Sequence, residues 1–96
     1  LIIELGAWVL RDALRALQTL RVQGHEGLRM SVNVSAQQFS HPDFVPDLEA
    51  ALVQEPGSAG LLELEITESV AIMGSDQAEY SLQRIRERGV SIAIDD

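Results

Sequence analysis

Ninety-six residues carry 7 Lys+Arg against 15 Asp+Glu, a formal charge of −8, with 46% hydrophobic residues and no cysteine. That apolar share suffices for a core, so wholesale disorder is excluded, and without cysteine there is no disulfide framework, zinc knuckle or thiol nucleophile. The acidic balance disfavours DNA or RNA as partners, because affinity for phosphate backbones comes from Lys and Arg, so a phosphate-bearing ligand calls for metal ions as intermediaries.

No uninterrupted apolar run approaches the roughly 18 residues of a membrane-spanning helix, and no leader-like segment opens the chain. The segment is expected to make no membrane contact and to work in the cytoplasm, even if a parent protein is tethered to a membrane. The chain starts at Leu1 inside an apolar pattern and stops at Asp96 directly after a strand-like run. Domain edges are usually polar and loose, so residues 1–96 read as a partial domain cut at both ends from a larger protein.

From Leu5 to Val22, Leu5, Val9, Ala13, Leu17 and Leu20, joined by Trp8 and Ala16, recur at three- and four-residue steps, with Arg11, Arg15 and Gln18 opposite. This predicts an amphipathic helix, stopped at Gly24, with Gly27 in a turn. From Leu28 to Ser35 the period becomes two, a strand. Pro42 and Pro46 punctuate the next stretch, and Phe44, Leu48, Ala51 and Leu52 then form a short helical stripe ending before Pro56 and Gly57. Leu62, Leu64 and Ile66 alternate with Glu63, Glu65 and Thr67 as a second strand. Asp76 offers a helix cap, with Glu79 three residues on as in a capping box, Leu82 and Ile85 give the inward stripe, and Gly89 stops the helix. Val90, Ile92 and Ile94 alternate with Ser91, Ala93 and Asp95 as a third strand.

Strands separated by helices lie parallel, and the corresponding positions 33, 65 and 95 are 32 and 30 residues apart. The fold class is α/β, with about three parallel strands, in either an open doubly wound sheet or part of a (β/α)₈ barrel. Side-chain alternation puts Met30, Val32, Val34, Leu62, Leu64, Ile66, Val90, Ile92 and Ile94 on one face, which must pack against the helices. The other face carries Asn33, Glu65 and Asp95, each toward the carboxyl end of its strand, where α/β enzymes place their sites.

An amide oxygen and two carboxylates are hard ligands, suited to Mg²⁺ or Mn²⁺ rather than zinc. Asp96 adds a fourth oxygen group if the chain turns directly after the strand, and Asp95 could then bridge two cations. A single acidic residue at a strand end is more often solvated or a helix cap than a ligand, but three in matching phase are harder to dismiss. Glu63 shares the parity lower on its strand and reads as half of a structural ion pair. His25 and His41 fall in turns and read as solvated. Arg84, Arg86 and Arg88 read as a helix surface rather than an anion site. Ser35 and Ser69 have no nearby histidine base, which argues against nucleophilic catalysis.

Three strings carry a resemblance: Asn33-Val34-Ser35-Ala36-Gln37-Gln38-Phe39, Leu64-Glu65-Ile66-Thr67-Glu68-Ser69, and Gly89-Val90-Ser91-Ile92-Ala93-Ile94-Asp95-Asp96. In order and spacing they resemble signatures of the EAL-domain family, bacterial cyclic-di-GMP phosphodiesterases, and Leu5-Gly6-Ala7-Trp8-Val9-Leu10 resembles the helix before the first of them. The resemblance implies a (β/α)₈ TIM-type barrel that hydrolyses cyclic-di-GMP to the linear dinucleotide pGpG with two Mg²⁺ or Mn²⁺ ions. It implies that Asn33, Glu65 and Asp95 bind one metal, that Asp95 and Asp96 hold the second, and that Glu68 anchors a loop controlling substrate and metal. The family's Glu-Ala-Leu strand would precede Leu1, and its lysine and a further glutamate would follow Asp96, so the isolated fragment is expected to be inactive.

Two alternatives stand beside this. One is a degenerate EAL domain acting as a cyclic-di-GMP receptor or protein-interaction module. The other is an unrelated α/β receiver, which would carry its acidic pair after the first strand rather than the third. Open sheet edges lead us to expect self-association of the fragment, or a dimer in the parent.

Overall fold

The computed structural model describes residues 2–4, 6–24, 27–71 and 76–95. They form a four-stranded, wholly parallel sheet in sequential order: β1 (Ile2–Glu4), β2 (Met30–Val34), β3 (Leu62–Thr67) and β4 (Ser91–Asp95). Between them run α1 (Ala7–Val22), the one-turn α2 (Ala36–Ser40), α3 (Phe44–Gln54), the short α4 (Glu68–Ala71) and α5 (Asp76–Glu87). The sequence leads to three strands. The fourth, β1, precedes a helix that begins at Ala7 rather than Leu5.

The expected alternation holds in β2 and β3. Met30, Val32, Val34, Leu62, Leu64 and Ile66 are all buried, and they share one core with Leu10 and Leu14 of α1, Leu48 of α3 and Ile85 of α5. The intervening residues Ser31, Asn33, Glu63 and Glu65 are half-buried. In β4 the pattern weakens toward the end: Val90 is buried and Ile92 packs against the core, but Ile94 is 59% exposed, contrary to the expected packing.

The inward stripe of α1 also differs from expectation. Leu10, Ala13, Leu14 and Leu17 are buried, whereas Trp8 is 69% exposed and Ala16 and Leu20 face outward. The row Leu5, Val9, Ala13, Leu17 advances by fours, and each such step rotates about 40° around a 3.6-residue helix. Ala13 and Leu17 of that row are buried beside Leu10 and Leu14, Val9 is half-buried, and Leu5 lies outside the described residues. The α3 stripe is as expected, with Phe44, Leu48, Ala51 and Leu52 buried and Val45 joining them. In α5, Ile85 is buried, Leu82 packs partly against the core, and Asp76 is itself helical rather than a cap outside the helix. The turn glycines Gly24 and Gly89 have φ of 96° and 90°, a region that favours glycine and ends α1 and α5 as expected.

Arg84 and Arg88 do more than coat a helix surface. Both converge on the Glu49 carboxylate of α3, whose side chain is only 13% exposed. Arg84 Nη2 donates to Oε1, and Arg88 donates through Nη2 at 2.7 Å and Nε at 2.8 Å to Oε2. Glu63 accepts from the Ser31 hydroxyl at a long 3.4 Å, and among the described residues it has no cationic partner, so the expected ion pair is absent. Arg29 reaches from the start of β2 to the Ser91 hydroxyl at 3.1 Å, bridging two strands that are not neighbours.

The hydrogen bond from Arg84 holds the Glu49 carboxyl below its ordinary pKa, against the opposing effect of burial and with help from Arg88. A depressed carboxyl stabilises the fold above its unfolded value and loses that contribution as pH falls through its folded value. Glu49→Gln is expected to lower the Tm of the intact protein by roughly 2–4 °C at pH 7. The gap from wild type should narrow as the pH drops below about 4.3, and a gap constant from pH 7 to pH 3 would contradict the account. Leu14→Ala, which empties a fully buried site, should cost about 2–5 kcal/mol in urea denaturation.

Candidate functional site

Asn33 and Glu65 are brought together by backbone register. In the β2–β3 ladder Asn33 is the direct partner of Glu65, flanked by the pairs Val32 with Leu64 and Val34 with Ile66. Those four apolar residues are 1–2% exposed, so burial fixes which way the strands face and leaves Asn33 and Glu65 together on the opposite side. Adjacent strands lie about 4.8 Å apart, so an amide oxygen and a carboxylate sit side by side at the carboxyl rim of the sheet.

β4 continues the row with Ala93 opposite Glu65, while Asp95 stands opposite Thr67, two residues further along. The three candidates are thus not level across the ladder: Asp95 is one pleat beyond the Asn33–Glu65 pair. The Asp95 side chain and the whole of Asp96 lie outside the described residues. At the other edge β1 sets Glu4 opposite Asn33, a position the sequence pattern does not single out. Three residues of strand are too few for an alternation to announce them.

Among the described residues no three His, Cys, Asp or Glu side chains gather at one point. The donors the described rim offers are one amide oxygen and one carboxylate, both half-exposed and both hard, a pair that fits Mg²⁺ or Mn²⁺. Glu68 opens α4 three residues beyond Glu65 and is exposed. His41 is solvated, as expected, and its Nδ1 accepts from the Asp43 N–H at 3.1 Å. His25 lies outside the described residues. A groove of about 350 Å³ between α1, α2 and α3 is lined by Leu10, Gln37, Gln38, His41, Phe44 and Leu48 among others, and neither Asn33 nor Glu65 borders it.

All 96 residues match the sequence profile of the EAL domain. The chain belongs to the EAL domain family. It is 43% identical over 93 residues to the cyclic di-GMP phosphodiesterase NbdA of Pseudomonas aeruginosa, a match covering 97% of this chain and 12% of that protein. It is 36% identical over 96 residues to the bifunctional diguanylate cyclase/cyclic di-GMP phosphodiesterase MucR of the same organism, covering 100% of this chain and 14% of that one. Among solved structures it resembles the MucR phosphodiesterase in its c-di-GMP complex, with a TM-score of 0.86 and 36% identity over 95% of this chain and 37% of that chain. The EAL domain of Mycobacterium smegmatis DcpA superposes with a TM-score of 0.81 and 32% identity, over 96% of this chain and 42% of the other.

The fold is accordingly part of a (β/α)₈ EAL barrel, contributing four strands. A barrel of eight strands with a shear of 8 staggers by about one residue per strand. The two-residue offset of Asp95, two strand steps away from Asn33, is of that size.

The register can be checked chemically because residues 1–96 contain no cysteine. Neighbouring strand partners fall within the Cα separation of about 4.4–6.8 Å that a disulfide spans, whereas positions two strands apart do not. Mild oxidation should close a disulfide in the Asn33→Cys/Glu65→Cys variant, seen as a cross-linked peptide pair by mass spectrometry. The Asn33→Cys/Ala93→Cys variant should stay reduced, and efficient closure there would overturn the assigned strand order.

Proposed function

We propose that residues 1–96 are a partial EAL domain of a protein that hydrolyses cyclic di-GMP to linear pGpG with two Mg²⁺ or Mn²⁺ ions. The observation that carries this reading is the direct register pairing of Asn33 with Glu65 at the carboxyl rim, in a chain 43% identical to a cyclic di-GMP phosphodiesterase. The chain spans 12% and 14% of the length of NbdA and MucR, so the remaining ligands of such a site would come from other segments of the parent.

In this reading Asn33 and Glu65, with Asp95, hold one cation, and Asp95 and Asp96 hold the second. Paired divalent cations supply an activated water at neutral pH and neutralise charge on the phosphate. Asn33 contributes a neutral oxygen, which sets the position of the cation without adding negative charge near an anionic substrate. Glu65 contributes the compensating carboxylate. Ala93, small and level with Glu65, leaves room above the sheet for a ligand. Glu68 anchors a loop that controls substrate and metal. The same reading places the segment in the cytoplasm and makes a dimer of the parent, or self-association of the fragment, the natural cover for open strand edges.

Replacing Glu65 by Ala in the intact protein should reduce Mg²⁺-dependent conversion of cyclic di-GMP to pGpG by more than about a hundredfold. Unchanged turnover would remove Glu65 from the site. Tight cyclic di-GMP binding with no hydrolysis by the wild type would favour the receptor reading instead. Purified residues 1–96 alone should show no turnover, and metal-dependent cleavage by them would refute their being only part of the site.

A further inference from the structure

The two rim residues are followed by the same local arrangement. After Asn33 come buried Val34, the hydroxyl residue Ser35, and α2; after Glu65 come buried Ile66, the hydroxyl residue Thr67, and α4. In both cases the hydroxyl oxygen accepts from the backbone N–H three residues on. Gln38 N–H donates to Ser35 Oγ at 3.1 Å, and Val70 N–H donates to Thr67 Oγ1 at 3.4 Å. At the first turn Ser35 N–H donates in return to Gln38 Oε1 at 3.0 Å, closing a capping box. At the second, Ser69 Oγ lies 2.9 Å from Thr67 Oγ1. Phe39 at 3% exposure and Val70 at 0% pin the two short helices to the core.

A helix of one turn has little stability of its own, because nucleation costs more than so few backbone hydrogen bonds return. Its start is decided by its cap and its core anchor, and its start is also where the preceding strand ends. We infer that Ser35, Gln38 and Thr67 are positioning residues for the cation site: the caps at Ser35 and Thr67, each two residues beyond Asn33 or Glu65, terminate β2 and β3 and keep those two side chains level. The inference rests on the reading of Asn33 and Glu65 as ligands. Mg²⁺ demands near-ideal geometry at about 2.1 Å, so a rim whose strand ends twist independently still offers the same oxygens but binds more weakly. Groups that orient metal ligands typically contribute about 10–100-fold in affinity.

The test is Mn²⁺ titration of the intact, substrate-free protein, followed by the electron paramagnetic resonance signal of free Mn²⁺, with Tm recorded for every variant. Ser35→Ala, Gln38→Ala and Thr67→Val should each weaken Mn²⁺ binding about tenfold. Ser35→Thr and Thr67→Ser, which keep the capping oxygen, should restore it. Glu49→Gln, which loosens the α3–α5 contact far from the rim, should lower Tm with Mn²⁺ affinity unchanged. If the cap variants bind as wild type while Asn33→Ala and Glu65→Ala lose the ion, the positioning role is wrong. If Asn33→Ala and Glu65→Ala also bind as wild type, it is the ligand reading beneath it that fails.

Discussion

The register between β2 and β3 is the constraint on which the rest depends. Strand side chains alternate with a period of two, so a slip of one residue would drive either Asn33 or Glu65 into the core and turn the apolar residues of its own strand, Val32 and Val34 or Leu64 and Ile66, out to solvent. Burying a carboxylate or an amide without partners is far costlier than leaving it at the rim. The hydrophobic effect therefore places two oxygen-bearing side chains beside each other, without any direct attraction between them.

Helices and ion pairs around this pair keep the sheet from shifting. Leu10, Leu14 and Leu17 of α1 and Leu48 of α3 press on the buried face, and the Glu49 carboxylate, gripped by Arg84 and Arg88, ties α3 to α5. At the opposite end of the strands Arg29 spans from β2 to β4 through Ser91, beneath the level of Asn33 and Glu65. The chain thus divides its labour along the strand axis: packing and ion pairs stabilise the helical side and the lower end, and the upper rim stays half-exposed and available for chemistry.

Much of this is legible in the amino-acid order alone, and the remainder is hidden for identifiable reasons. β2, β3 and β4 announce themselves because five or six alternating residues flanked by turns are unambiguous, and the α3 stripe is clear for the same reason. β1 escapes notice since three residues next to a helix carry no period. The helices α2 and α4 are shorter than the repeat that would reveal them, although Ser35 with Gln38 spells a capping box that can expose the first. The face of α1 is caught only in part, because a row of four-residue steps takes in Ala13 and Leu17 and passes over Leu10 and Leu14. Arg84 and Arg88 read as surface because their partner, Glu49, is 35 and 39 residues away, a distance only the fold can close. At the rim the shared parity of Asn33 and Glu65 emerges as expected. The advance of Asp95 by one pleat does not, since parity fixes a face and not a height.

Family membership fixes the barrel, and the chemistry of the Asn33–Glu65 pair suits the rim to a hard divalent ion. The most direct measurement is anomalous diffraction at the manganese edge from crystals of the intact protein grown with Mn²⁺. The account predicts a peak within about 2.0–2.3 Å of both the Asn33 amide oxygen and a Glu65 carboxylate oxygen. A fully occupied manganese site that touches neither residue would contradict it.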